Sequence, residues 1–467
     1  MATFDIPHIS FGGLATGLDT NAIISSLVAV EHLPIDLMTQ NKIGYEAKIS
    51  AFGTLKTHLK SLQTAADGLK DEKDFNVFKT SVSLEGILSA SASKYAAPGT
   101  YQIEVQSLAT FEQVSSQQYF ADKEAPQFGI GSMLIQVGSD DPIEVIIDDS
   151  NNSLEGLAQA INGAEAGVTA LVVDDGQGNG TPQYHLVISS NSTGANHGIT
   201  LDTSGLAGGT ALGGFDVNQT GQDAHFSVNG MDLYRPSNTV TDVAPGLSFD
   251  LTGVTSGGPV SLTVSRDAEA IAEKVEALVE AYNEVIGFIN AQNTYSEDAE
   301  TGGILMGESL LLRVQNRLQS ILVPGWNTDP GAPEIQILAQ VGVSFQDDGT
   351  LSVNSEELKA AIEGNFDDVK AMFSKDSEVE GEMSGFGDEI EALLKEYTQV
   401  EGFVDSTNKN FQSLVKSLND QIADAEDRLE GFEATLIKKF AALESLMAGL
   451  QSQQSFLSNL QLPSFSG

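Results

Sequence analysis

The chain has 467 residues, 65 Asp and Glu against 23 Lys and Arg, a formal net charge of −42 and a hydrophobic fraction of 41%. That length exceeds what one core usually organises, and the charge argues against nucleic-acid binding, which needs cations to neutralise phosphate, and against an anionic membrane surface. No cysteine is present, which removes disulfides, thiolate metal sites and cysteine nucleophiles together.

The stretch "GGLATGLDTNAIISSLVAVE" (residues 12–31) carries only Asp19 and Glu31 as charges, and the first Lys or Arg is Lys42. A secretory signal peptide requires a basic leading region, so export, if it occurs, is expected by an uncleaved route. Asp19, Ser25, Ser26 and the glycines are expected to stop the apolar run short of the ~18–20 residues of a membrane span, so no membrane insertion is expected. Asp19, Thr20 and Asn21 are N-cap types and predict a helix from that point. Pro34 predicts a break or restart. Beyond it Met38, Tyr45, Phe52, Leu59 and Ala66 recur every seven residues, with Leu55, Leu62 and Leu69 interleaved. Two such rows form a coiled-coil seam.

From about Val77 to Ser265 the texture changes. "YQIEVQSL", "MLIQVG", "YHLVISS" and "VSLTVS" alternate apolar and polar residues as half-buried strands do. One helix interrupts them, "SLEGLAQAING", with Leu154, Leu157, Ala158 and Ile161 on one face. Asp140-Asp141-Pro142, Asp174-Asp175-Gly176 and Gly208-Gly209 mark turns. Two β-rich domains are predicted, one inserted in the other.

Helix returns with "DAEAIAEKVEALVEAYNEVIGFI", followed by a hairpin, "ILAQVGVSFQDDGTLSV", turning at Asp348-Gly349, and a capping box at Asn354 and Glu357. In the last segment Ile422, Leu429, Leu436, Leu443, Leu450 and Leu457 lie seven apart. Phe411, Leu418, Ala425 and Phe432 form a second row, which slips at Lys439 and resumes at Phe440 and Met447. A helix from Thr407 to Leu460 would be roughly 80 Å long and needs a partner along its length. The amino-terminal heptads are the expected partner, which would bring both termini to one end. From Phe440 to Gly467 the only charge is Glu444, and residues 1–41 hold no Lys or Arg. Apolar faces this broad need burial between subunits. An internal helical core is the plainer alternative, which the number of heptads disfavours.

The predicted fold is therefore α+β, multidomain and elongated. Long coiled-coil helices from both termini form a stalk or leg plus a helical domain, with two β-rich head domains. The expected divisions are a leg (1–41 and 432–467), a helical coiled-coil domain with a hairpin (42–76 and 267–431), an inner β-rich domain (77–120 and 220–266) and an outer inserted α/β-rich domain (121–219). Candidate interface residues are Leu14, Leu18, Ile23, Ile24, Leu27, Tyr45, Phe52 and Leu59, with Ile422, Leu429, Leu436, Leu443, Leu450 and Leu457.

No catalytic constellation emerges. His8, His32, His58, His185, His197 and His225 are scattered without H-E-x-x-H or a paired ligand spacing. "GIGSML" and "GQGNGT" fail the dinucleotide and phosphate-loop patterns and read as turns. Asp174 and Asp175 resemble the start of a calcium loop, but the twelfth positions, His185 and Leu186, lack the bidentate glutamate, so a hairpin turn is expected. Ser406 and Lys409 match S-x-x-K without companion motifs and read as a capping serine and a solvated lysine. No cofactor, metal or enzymatic activity is expected.

Several stretches, in order, resemble the flagellar filament cap family, also called flagellar hook-associated protein 2. "GGLATGLDTNAIISSLVAVE" is similar to its amino-terminal signature, with Thr16 where serine is common. "GTYQIEVQSLATFEQVSS" and "FSVNGMDLYRPSNTVTDVAPGLSFDLTG" are similar to the two halves of its inner β domain. "SLEGLAQAINGAEAGVTALVVDD" resembles a motif shared with flagellins. "VGVSFQDDGTLSVNSEELKAAIEGNFDDVKAMF" and residues 402–460 resemble its carboxy-terminal region. The resemblance implies a secreted structural assembly factor at the distal filament tip that promotes folding and insertion of exported flagellin. It further implies a homo-oligomeric ring, commonly a pentamer and within four to six copies. The implied partners are flagellin, hook–filament junction proteins, an export chaperone and the flagellar type III export apparatus. The competing readings are a secreted adhesin binding host mucus or glycan, and a hook–filament junction or filament subunit.

Overall fold

A computed structural model describes residues 17–178, 180–296, 301–323, 334–375 and 384–458. Leu14, and Leu460 at the expected end of the last helix, lie outside the described residues. The chain divides into two compact units, one built from its two ends and one from Lys73–Ile271.

The first element, α1 (Thr20–Lys70), is a single helix of 51 residues. It starts where the sequence suggests, because the Asp19 carboxylate accepts the Ala22 N–H at 3.0 Å and satisfies one orphan donor of the first turn. The expected break at Pro34 does not occur. Pro34 lies on the exposed side of α1, where water can satisfy the carbonyl one turn earlier, so the lost hydrogen bond is not a buried one. Further along, Phe52, Leu55, Leu59, Leu62, Ala66 and Leu69 have no exposed surface. Heptad spacing places all six on one side, where each leucine contributes about 2 kcal/mol of burial.

The strand-rich unit begins with β1 (Phe78–Val82), β2 (Leu88–Ala92) and β3 (Gly99–Ser107). There follow β4 (Phe111–Ser116), β5 (Ile130–Val137), β6 (Ile143–Ile147), the helix α2 (Leu154–Gly163), β7 (Val168–Asp174), β8 (Tyr184–Thr193), β9 (Ile199–Asp202), β10 (Leu206–Ala207) and β11 (Phe215–Gln219). The unit closes with β12 (Ala224–Val228), β13 (Met231–Arg235), β14 (Thr239–Ala244), β15 (Leu247–Leu251) and β16 (Val260–Arg266).

A five-stranded sheet, β1-β16-β3-β12-β13, and a three-stranded sheet, β14-β15-β2, enclose one core. At its centre the rings of Phe226 and Phe249 meet edge to face, 5.8 Å apart. A second core lies among β11-β4-β8-β7, the sheet of β10, β5 and β6 with β9 on β5, and the apolar face of α2. Leu154, Leu157 and Ile161 of α2 are fully buried there.

β4 falls on the other side of the expected boundary. It pairs with β8 and β11, and Val114 lies in the second core, so the chain changes core between Ala109 and Phe111. "GTYQIEVQSLATFEQVSS" alternates without a pause, and alternation reports faces, not which sheet a strand joins. The crossing point is held by Asn238, whose amide accepts the Ala109 N–H at 2.7 Å and donates to its carbonyl at 3.0 Å.

The rest of the helical unit contains α3 (Ala268–Asn293), the short pair β17 (Tyr295–Ser296) and β18 (Thr301–Gly302), and α4 (Ser309–Leu322). A hairpin of β19 (Val343–Phe345) and β20 (Leu351–Val353) precedes α5 (Ser355–Gly364), α6 (Phe366–Ser374), α7 (Phe386–Thr398) and α8 (Phe403–Ser458). Asp348 holds the hairpin turn by accepting the Thr350 N–H at 3.0 Å, and Gly349 takes φ +82°. Two α3 side chains fasten it: the Tyr282 hydroxyl donates to the Gly349 carbonyl at 3.0 Å, and the Asn283 amide bonds Leu351 twice at 2.7 Å. Burial pushes the Tyr282 hydroxyl up to about 12, so it stays a donor further into alkaline pH than an ordinary tyrosine.

Candidate assembly interface

The two long terminal helices pair with each other. Lys56 of α1 forms an ion pair with Asp405, near the start of α8, whereas Tyr45 stacks on Phe411, further along it. Residue numbers fall along α1 as they rise along α8, so the pair is antiparallel. The Phe411 ring is held between Tyr45, at 5.7 Å, and Phe52, at 6.0 Å, one heptad apart on α1. Lys48 Nζ sits 5.4 Å over the same ring and reaches Glu308, just before α4, at 2.6 Å. Hydrogen bonding from Lys56 is the largest cause holding the Asp405 carboxyl below its usual range. On the neighbouring flank Gln63 accepts from the Thr398 hydroxyl at 2.7 Å and donates to Glu391 at 3.3 Å, joining α1 to α7.

The candidate residues separate into two sets along this pair. Phe52 and Leu59 are fully buried, Ile24 nearly so, and Ile23, Tyr45, Ile422, Leu429 and Leu436 are half-buried. Leu18, Leu27, Leu443, Leu450 and Leu457 remain exposed, Leu457 by 69%. Equal rise along both helices explains the three on α8. From the Lys56–Asp405 pair, Thr20 comes opposite residue ~441, so the last turns of α8 extend past the start of α1. Leu443, Leu450 and Leu457 therefore face no α1 residue of the same chain.

α1 carries a second apolar stripe, of which Leu27 alone belongs to the candidate set. Val30, Leu33 and Leu37 are each at least 60% exposed, and Leu27 is 41% exposed. At about 100° per residue they cluster roughly a third of a turn from Thr20, Ile24 and Ile35, the residues buried in this half of the helix. One face of α1 thus meets its own chain while another is apolar and open. A 3.6-residue period read separately over 27–37 shows this stripe, which the seven-residue period of the seam conceals. Charge is sparse here: Asp19, Glu31 and Asp36 are the only acids in residues 17–41, and Asp36 pairs with His32 at 3.1 Å.

Among the described residues α1 is the one helix with an 18-residue window apolar enough, by length and composition, to cross a membrane. Ser25 and Ser26 still interrupt the unbroken apolar run, and Asp19 precedes the helix; the window passes because average apolarity decides it. Only 6% of the window is buried within the chain. Among the described residues this face has no intramolecular partner.

Asp174 and the S-x-x-K pair serve the fold. Among the described residues no three His, Asp or Glu side chains gather as metal ligands. Asp174 accepts the N–H groups of Gln183 and Gly176 at 3.0 and 3.1 Å, which lowers its pKa and closes the β7–β8 turn. Ser406 donates to the Glu401 carbonyl at 3.1 Å and Lys409 to the Glu401 carboxylate at 3.0 Å, so the S-x-x-K pair anchors one turn.

Comparison with known proteins places these features in a family. Residues 16–112 match the model described as flagellar hook-associated protein 2 N-terminus, and residues 221–452 match that described as flagellar hook-associated protein 2 C-terminus. The B-type flagellar hook-associated protein 2 of Pseudomonas aeruginosa is 33% identical over 352 residues, 70% of this chain and 72% of that protein. Flagellar hook-associated protein 2 of Escherichia coli is 29% identical over 468 residues, 96% of this chain and 97% of the relative. The crystal structure of the D1-D2-D3 domains of the flagellar cap protein FliD from Escherichia coli aligns with TM-score 0.60 at 28% identity, covering 78% of this chain and 99% of that one.

Proposed function

Because this chain belongs to the flagellar hook-associated protein 2 family, we propose that the uncovered apolar faces of its terminal helices are the surfaces by which copies assemble and grip the filament. The chain is a flagellar cap protein, exported to the distal tip of the filament, where it associates with flagellin. One observation carries the proposal: α1 and α8 are paired, yet Leu27, Val30, Leu33 and Leu37 of α1 and Leu443, Leu446, Leu450 and Leu457 of α8 remain exposed.

Electrostatics favours these faces over the rest of the surface. Copies each carrying −42 repel wherever their acidic surfaces meet. Contact is least opposed where side-chain charge is nearly missing, at the amino end of α1 and the carboxy end of α8. A closed ring of four to six copies, five by family resemblance, would bury the stripe of each copy on its neighbour. The low charge also suits movement along the filament, since apolar contacts between equivalent grooves impose little electrostatic registry. The carboxy end of α8 would need covering before assembly, a role for an export chaperone, and the amino end is the segment for the export apparatus to read. Contact with hook–filament junction proteins would use the same ends. The role is structural, with no catalytic step.

Complementation of a cap-null strain tests this. Leu443→Asp with Leu450→Asp should leave the chain folded and secreted but reduce filament growth at least tenfold. Full growth from this double variant would remove the helix faces from the assembly surface.

A further inference from the structure

The solvent face of the β5–β6 sheet departs from the usual pattern. An antiparallel sheet packed on one side presents polar residues on the other. Met133, Ile135, Val145 and Ile147 point into the second core and are almost fully buried. The alternate positions should be polar, yet Ile130, Leu134 and Ile146 are large, aliphatic and 46%, 38% and 67% exposed. Register brings them together. Ile146 lies opposite Ser132, so Ile130 and Leu134 are its two diagonal neighbours on β5, close enough for aliphatic side chains to meet. β6 is also an edge strand. Leu134 is flanked by Glu144 on β6 and Asp202 on β9, which puts a carboxylate on either side of Leu134 at one margin of the apolar cluster.

The surroundings have one sign of charge. From Glu124 to Tyr234 the chain has fourteen Asp and Glu and no Lys or Arg. The nearest preceding cation, Lys123, is engaged with Glu155 at 3.4 Å. A second copy brings the same acidic rim to the same apolar centre, so self-docking through this face is opposed by charge.

We infer that the outward face of β5–β6 is a docking surface for an extended polypeptide with aliphatic side chains at its centre and Lys or Arg at its margins. The aliphatic side chains cover Ile130, Leu134 and Ile146, and the cations pair with Glu144 and Asp202. This surface is separate from the terminal helices and does not depend on how they assemble.

Fluorescence anisotropy with the full chain tests it, using a labelled nine-residue peptide, Lys-Ser-Val-Ser-Val-Ser-Val-Ser-Lys, whose valines and terminal lysines share one face when extended. Two control peptides replace every lysine by glutamate or every valine by serine. The valine–lysine peptide should bind at least tenfold more tightly than either control. Ile146→Asp should weaken its binding at least tenfold with no change in thermal midpoint, and Ile146→Thr, which keeps the β-branched shape, should weaken it severalfold. Glu144→Lys with Asp202→Lys should transfer the preference to the glutamate peptide. Equal binding of the valine–lysine and serine–lysine peptides would reduce the effect to diffuse charge and overturn the proposal. So would Ile146 variants that bind normally, or an Ile146→Asp chain whose oligomer mass falls, which would give the face to a second copy.

Discussion

Phe411 shows how one side chain sets the register of two long helices. Both helices repeat every seven residues, so a slip by one heptad would match apolar rows again. Phe411 is specific because Tyr45, Phe52 and Lys48 all engage its ring. Phe411→Ala should cost about 2 kcal/mol from lost burial and stacking, seen as a lower thermal midpoint, with Phe411→Leu recovering part of it. The Lys56–Asp405 pair adds a pH dependence. The Asp405 pKa is lower folded than unfolded, so its contribution is present above the ordinary carboxylate range and is lost as pH falls through the folded value. Thermal midpoints of the parent and Asp405→Asn should therefore differ near about pH 7, by an amount equivalent to at most about 1 kcal/mol, and the gap should narrow as pH falls below the ordinary carboxylate range. A gap that stays constant over that range would mean that Asp405 acts through packing alone.

At the scale of elements, α1 has two jobs on two faces. Beyond Phe52 its heptad positions close a core, and before Leu37 its open stripe awaits another surface. Val30→Asp with Leu37→Asp should leave far-ultraviolet helicity and the thermal midpoint near the parent values while lowering oligomer mass; unfolding would show that the stripe is internal. Gly387 of α7 tests the closed face, because a Cβ there would stand 2.9 Å from the Phe373 carbonyl oxygen and 3.0 Å from the Lys70 backbone nitrogen. Gly387→Ala should destabilise the helical unit by about 1–3 kcal/mol in chemical denaturation. The core heptads from Phe52 to Leu69, the helix α2 and the cap at Asp19 were legible because local spacing and local hydrogen bonding decide them. The uninterrupted passage through Pro34 was not, since it depends on which side of the helix meets water. Nor was the transfer of β4 to the second core, since that depends on partners distant in sequence. The open stripe of α1 was present in the sequence but masked by the stronger seven-residue signal.

For the molecule as a whole, acidity and apolarity are distributed with a purpose. Repulsion between copies is spread over most of the surface, while Phe440–Gly467 holds one charged side chain and residues 1–41 no Lys or Arg. The family assignment supplies the setting, a cap on the flagellar filament, and the exposed faces supply the means of holding it. A chain lacking residues 1–40 and 440–467 should stay folded, as judged by circular dichroism, yet fail to restore filaments in a cap-null strain. Restored filaments would locate the grip elsewhere. The central claim, that the open stripe on α1 and the far end of α8 hold copies together, meets its most direct test in the light-scattering mass of the full chain and of Leu33→Asp/Leu37→Asp/Leu450→Asp. The parent should have the mass of a closed ring of four to six copies and the triple variant that of a folded monomer; a triple variant of unchanged mass would contradict the account.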